Sequence, residues 1–291
     1  MRKALVPLLL LLALVAAGCG GETPGDQADP GQQQPKRIVS LSPTATEILF
    51  AVGAGGQVVA VDSNSNYPAD APRTDLSAYQ PNLEAIARYK PDLVVYSDDP
   101  GELKAGLEKL GIPALQQPAA KRLDDTYAQI DQLGKATGHP AEAGQLTATM
   151  RSEIQKLTGG PRPERRLAYY HELDKNLYSA TSKTFIGQLY AQLGMENIAD
   201  AADKDGGGYP QLSAEYVVKA DPDLIFLADT KCCGQSAKTV AARDGWDQLR
   251  AVKAGAVIEL DDDVASRWGP RIVDFLRLIA AKVQALETVG S

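Results

Sequence analysis

The chain has 291 residues, about two domains at roughly 150 residues each, and 44% of them are hydrophobic, enough to bury a sizeable core and too many for intrinsic disorder. Its 30 Lys and Arg against 37 Asp and Glu give a formal charge of -7, which argues against a nucleic-acid binder, since that function wants a concentrated basic face. With 3 Cys and 2 His, multi-Cys zinc sites and a disulfide framework are excluded.

In chain order, Arg2 and Lys3 precede an apolar run from Ala4 to Ala17 that stops at Gly18-Cys19. The run is shorter than the ~20 apolar residues of a membrane-crossing helix and reads as a signal peptide over residues 1–18. The string Val15-Ala16-Ala17-Gly18-Cys19 resembles the lipobox of bacterial lipoproteins, which implies cleavage before Cys19 and acylation of that residue. Two or more acyl chains anchor stably where one is marginal. The other reading is an ordinary secretory peptide with a chance Cys. Residues 19–35, rich in Gly, Pro, Gln and Asp, hold no aliphatic side chain larger than Ala and read as a flexible tether.

Folded sequence starts near Arg37 with the β-branched run Ile38 to Leu41. Thr44 to Val52 has helical spacing, with Thr44 as N-cap and Glu47 three residues on, a capping-box pattern. Strands are predicted at Val58 to Val61, Leu93 to Tyr96 and Ile112 to Leu115, and helices at Asn82 to Tyr89 and Leu103 to Leu110. Strands alternating with helices indicate an α/β lobe, residues 36–138, with a mostly parallel sheet. From Leu123 the pattern is purely helical. One helix runs to Ala136, the segment Thr137 to Pro140 breaks it, and a second from Ala141 to Leu157 sets the bridging helix within residues 139–160. A second α/β lobe occupies residues 161–291, with strands at Leu167 to Tyr170, Leu224 to Leu227 and Val257 to Leu260. Its helices are predicted at Thr184 to Leu193, Ser213 to Lys219 and Gly269 to Leu286.

The two lobes are related. Asn82-Leu83-Glu84 followed by Pro91-Asp92-Leu93 reappears as Ser213-Ala214-Glu215 followed by Pro222-Asp223-Leu224, with Glu84 to Glu215 and Pro91 to Pro222 both offset by 131 positions. Duplicated α/β lobes joined by a helical segment would enclose a cleft.

These residues resemble the substrate-binding lipoproteins of ABC importers, in the class whose two lobes are bridged by a single backbone helix and which serves cobalamin, ferric siderophores and haem. The resemblance rests on Arg37 to Pro43 with Thr46-Glu47, the Asn66-Tyr67-Pro68 turn, the Asn82-Leu83-Glu84 motif with Lys90 to Leu93, and Arg267-Trp268-Gly269-Pro270-Arg271-Ile272. It covers roughly Lys36 to Leu286. It implies an extracytoplasmic, lipid-anchored monomer with no cofactor. Its partners would be a permease dimer with ATPase subunits, docked through Glu84 and Glu215, and its cargo a corrinoid, ferric siderophore or haem. Opposite charges across such an interface set register and encounter rate. Each Glu is otherwise an ordinary solvated carboxylate.

The same resemblance places ligand contacts on Tyr79, Tyr178, Tyr209, Asp263 and Arg267, and Tyr67 and Trp268, which lie in the motifs that carry it, join them as candidate ligand-binding residues. Where the cobalamin-binding members carry Trp, this chain has Tyr79 and Tyr209; another family Trp falls near Ser97 and a Tyr near Asn64. The balance of 11 Tyr to 4 Phe suits a large ligand with apolar and polar edges, because tyrosine offers an apolar face, a hydroxyl and little rotamer entropy to lose. Arg267 either contacts ligand oxygens bidentately or pairs with Asp263, and Trp268 either walls the cleft or belongs to the core.

Adjacent Cys232 and Cys233 suggest a vicinal disulfide in a tight loop before Gly234, the alternative being two free thiols. A bare metal-ion receptor is a competing reading, resting on Asp261-Asp262-Asp263 and His171-Glu172, but 2 His fall short of a dedicated zinc or manganese site. An enzyme is not indicated, since no GxSxG elbow is present and Gly206-Gly207-Gly208 lacks the Lys-Ser/Thr of a phosphate loop.

Overall fold

The computed structural model describes residues 34–160 and 165–290. The expected signal peptide, Cys19, most of the tether and residues 161–164 of the second lobe lie outside them.

The first sheet is built from β1 (Ile38–Leu41), β2 (Val58–Val61), β3 (Leu93–Tyr96) and β4 (Ala114–Gln116), all parallel, in the order β2-β1-β3-β4. The crossovers carry α1 (Pro43–Ala51), α2 (Leu83–Ala87) and α3 (Leu103–Lys109). Helices cover both faces of such a sheet, so its strands read as continuous apolar runs rather than alternating ones. Ile38 and Val95 face one hydrophobic cluster, while Val39, Leu41, Val94 and Tyr96 face another with Leu107.

Two antiparallel helices follow, α4 (Leu123–Thr137) and α5 (Pro140–Thr158). Gly138 at φ +82° ends the first in the left-handed conformation, and Pro140 opens the second where its missing N–H costs nothing. The two helices touch closely at Gly134, where a Cβ would lie 2.3 Å from the Ala143 Cβ and 2.9 Å from the His139 carbonyl.

The second sheet repeats the first. Strands β5 (Ala168–Glu172), β6 (Glu196–Asn197), β7 (Leu224–Leu227) and β8 (Val257–Glu259) run parallel in the order β6-β5-β7-β8, so in each lobe the first strand is flanked by the second and third. Around it lie α6 (Phe185–Gln192), α7 (Ala214–Ala220), α8 (Thr230–Cys233), α9 (Ala237–Ala241), α10 (Arg250–Lys253), α11 (Asp262–Ser266) and α12 (Ile272–Gly290). The inner faces of both sheets share one core, in which Ile48 and Val95 of the first lobe, Met150 and Ile154 of α5, and Phe226, Phe275 and Ile279 of the second join a single cluster. Two similar four-stranded parallel sheets with helices on their faces, bridged by α5, are the α/β two-lobe architecture that the alternation predicts.

The start of α1 differs from the expectation. Ser42, not Thr44, is the N-cap, its Oγ accepting the Ala45 N–H at 3.2 Å. Pro43 at the first helical position sets the frame earlier than the hydrophobic spacing suggests. Glu47 is thereby freed from a capping box and turned inward, with its side chain 1% exposed. The closing helix likewise starts at Ile272 rather than Gly269, because Arg267 to Arg271 run across to the first lobe.

Candidate functional site between the lobes

In open parallel sheets ligands sit beyond the carboxyl ends of the strands, and here those ends supply the loops that carry most of the singled-out residues. After β2, Ser63 N–H donates to the Leu76 carbonyl at 2.9 Å, tying the turn bearing Tyr67 to the segment bearing Tyr79. After β5, Asp174 accepts the Asn176 and Tyr178 amides at 2.8 and 3.3 Å, forming the turn that presents Tyr178. An antiparallel bridge from Tyr178 to Gln211, with Ser179 N–H donating to the Pro210 carbonyl at 3.0 Å, sets the Tyr209 segment alongside.

Tyr67, Tyr79, Tyr178 and Tyr209 are 47, 76, 40 and 57% exposed, while the other seven tyrosines are buried or half-buried. An aromatic ring left in water forgoes burial of about 150–250 Å² of surface, so aromatics kept outside on both lobes call for a partner that covers them.

The polar residues behave differently. Arg267 is 9% exposed. It donates to Glu47 Oε1 at 2.8 Å, to Asp263 Oδ1 at 2.8 Å and to the Asn64 carbonyl at 3.0 Å. The pairing with Asp263 that the sequence left open is therefore present, with a second carboxylate added from the opposite lobe. Arg271 grips the same Glu47, with Nε to Oε2 at 3.0 Å and a terminal nitrogen to Oε1 at 2.5 Å. Its guanidinium lies 4.3 Å over the Tyr67 ring. Burial opposes ionisation of Asp263, but Lys231, Asn66 and Arg267 outweigh it and hold the carboxyl below the usual range. Asn66 Nδ2 reaches Asp263 Oδ2 at 3.0 Å from the opposite lobe. The half-buried Trp268 donates its indole N–H to Gln129 of α4 at 2.9 Å.

The lobes are thus bolted through Glu47, Arg267, Arg271, Asp263 and Asn66, beside an exposed tyrosine surface. Glu47, Arg271 and Asn66 were not among the expected site residues. The available signal was a carboxylate on the buried arc of α1, beside Ile48 and Leu49, which demands a cation.

Glu84 and Glu215 are exposed in the first turns of α2 and α7, behind the N-caps Asn82 and Ser213, whose side chains accept the Ala85 and Tyr216 amides at 2.9 and 3.1 Å. Neither Glu has a side-chain ion pair among the described residues. A hollow of about 490 Å³ lies against Glu84, between Leu83 and Ala87 of α2 and Ala105 and Leu110, away from the inter-lobe cleft.

Cys232 and Cys233 are joined as a vicinal disulfide at the end of α8, and both are exposed. The residues of the metal-receptor reading are spent otherwise. His171 is fully buried with Nδ1 2.9 Å from the Tyr190 hydroxyl, Glu172 receives Arg243 bidentately at 2.6 and 2.7 Å, and Asp262 caps α8. Among the described residues no group of three or more His, Cys, Asp or Glu is placed to hold a metal ion.

Comparison with known proteins agrees with this architecture. The family profile described as Periplasmic binding protein matches residues 38–264. The chain is 30% identical, over 97% of each sequence, to the uncharacterized ABC transporter substrate-binding lipoprotein YvrC of Bacillus subtilis. It is 31% identical to the Vitamin B12-binding protein of Pectobacterium carotovorum, over 88% of this chain and 91% of that one. The periplasmic heme-binding protein RhuT of Roseiflexus superposes with a TM-score of 0.72 at 25% identity, covering 85% of this chain and 97% of the other. These relatives are binding proteins rather than enzymes. Two bridged α/β lobes, an aromatic surface on each, and a profile match across both sheets together place this chain in the periplasmic binding protein family.

Proposed function

We propose that this protein is the lipid-anchored substrate-binding component of an ABC importer, capturing a corrinoid, with cobalamin foremost, and handing it to a permease dimer. The observation that carries the ligand class is the set of four exposed tyrosines spread over both lobes. A small ion needs none of that aromatic surface, whereas a corrin or porphyrin has broad faces to cover it. Relatives named for vitamin B12 and heme support the same class. Acylated Cys19 would hold the protein at the membrane. Glu84 and Glu215, repeated at equivalent points of two similar lobes, would meet two symmetry-related permease subunits.

The buried ion cluster across the lobes restrains them, as does the continuous hydrogen bonding of α5, so delivery relies on docking more than on wide closure. Titration with cyanocobalamin, haemin and a ferric hydroxamate, followed by intrinsic fluorescence, tests the reading. Trp246 is buried in the second lobe, so quenching reports mainly through Trp268 and the exposed tyrosines. Saturable quenching by cyanocobalamin at micromolar concentration or below supports the proposal. No saturation with any of the three overturns it.

A further inference from the structure

Neither cysteine of the vicinal disulfide belongs to the ion cluster between the lobes. Cysteine is among the most buried residue types, yet Cys232 and Cys233 are both exposed, one turn beyond the carboxyl end of β7. The short helix that carries them is fixed with unusual completeness. Asp262 Oδ1 accepts the Thr230 amide at 2.9 Å and its hydroxyl at 2.8 Å. Its Oδ2 accepts the Lys231 and Cys232 amides at 2.9 and 3.0 Å. Lys231 Nζ then bridges Asp261 and Asp263, each at 2.8 Å. Asp263 is the residue that meets Asn66 of the first lobe, and Asn66 adjoins Tyr67. The disulfide therefore stands on the cleft rim, on an element held by the same acidic segment that ties the lobes together. Gly234 follows at φ +66°, and among the described residues no atom lies within 4 Å of where a side chain there would begin, so the turn after the exposed cysteines is open.

We infer that the Cys232–Cys233 disulfide is a ligand-contact element, presenting a rigid, polarizable apolar surface from the second lobe to the conjugated face of the bound chelate. Two linked sulfurs form a compact platform with no polar group to desolvate, and sulfur packs favourably against π systems. A pair of thiols or serines in its place offers rotating, hydrated groups. Anchoring by Asp262 means the platform is set before the ligand arrives, which limits the ordering cost on binding. The inference rests on the ligand reading proposed above.

The test begins with mass spectrometry of the unreduced protein after iodoacetamide, where no adduct on Cys232 or Cys233 is expected. Cyanocobalamin and haemin are then titrated into the wild type and the Cys232→Ser/Cys233→Ser double variant. The expected result is affinity about three- to tenfold weaker in the variant for the chelate that binds, the size of a lost sulfur–π contact. A second measurement needs no variant: the bound chelate should slow reduction of the disulfide by dithiothreitol severalfold, read as the rate at which alkylatable thiols appear. Equal affinities together with equal reduction rates overturn the inference while leaving the importer reading intact, as do two adducts in unreduced protein. If the wild type binds neither chelate, the ligand reading has failed and this inference falls with it.

Discussion

Replacing Glu47 with Gln is the sharpest probe of the inter-lobe bolt. The substitution keeps the shape but removes the carboxylate shared by Arg267 and Arg271, whose side chains are 8 and 17% exposed. The amide nitrogen of Gln would also face guanidinium donors where an acceptor oxygen stood. Breaking a buried ion pair by deleting one partner costs about 3–5 kcal/mol. Asp263 still serves Arg267, which favours the lower end, about 3 kcal/mol. With a urea slope of about 3 kcal/mol/M, the unfolding midpoint should fall by about 1 M. A cycle with Arg271→Met and the double variant isolates the coupling, expected at about 1–3 kcal/mol between groups in one network. Cyanocobalamin affinity should weaken as well, because Arg271 holds the Tyr67 ring from above. A midpoint shift below about 0.2 M, with additive single effects, would refute the claim that these charges are desolvated and interdependent.

Charge reversal at Glu84 and Glu215 should abolish cellular uptake while leaving the affinity of the isolated protein unchanged, since both are exposed and neither has an ion pair among the described residues; a drop in affinity would place them in the ligand site instead. Asp229 is fully buried beside the Glu172 carboxylate, and burial, followed by the Glu172 charge and a proton shared with Glu172, raises its pKa to about 7. The folded state then holds a proton that the unfolded chain releases near pH 4, so this group's contribution to stability falls as pH rises from about 4 to about 7, by at most about 1.4 kcal/mol per pH unit. Asp229→Asn should remove that slope in urea melts run across the range, and an unchanged slope contradicts the assignment. Gly134→Ala drives a methyl group against Ala143 and the His139 carbonyl and should destabilise the protein by about 1–3 kcal/mol, with neutral behaviour in thermal melts counting against the close helix contact.

Much of the framework was legible because strands buried on both faces leave β-branched runs. The segments Val58 to Val61, Leu93 to Tyr96 and Leu224 to Leu227 are read from sequence with the bounds they have in space. Short elements were not legible. The four- and five-residue helices at Thr230–Cys233, Ala237–Ala241, Arg250–Lys253 and Asp262–Ser266 are too brief to show a 3.6-residue period. Glu47 shows the deeper limit. Three residues after Thr44 it has the spacing of a capping box, and only a partner 220 positions away explains its burial. Local pattern carries no information about that contact. The tyrosines were singled out by resemblance alone, and nothing in their spacing distinguishes the exposed Tyr178 from the buried Tyr170, whose strand position decides its fate.

The measurement closest to the central claim is calorimetric titration of cyanocobalamin into the wild type, Tyr79→Ala, Tyr209→Ala and the double variant. One lobe carries Tyr79 and the other Tyr209, both exposed, so truncation should leave stability within about 0.5 kcal/mol. If one bulky molecule is held between the lobes, the wild type binds one equivalent, each single variant weakens binding about tenfold as expected of a contact residue, and the double variant weakens it further. Binding indifferent to the tyrosines of one lobe, or two independent equivalents, would contradict a shared cleft.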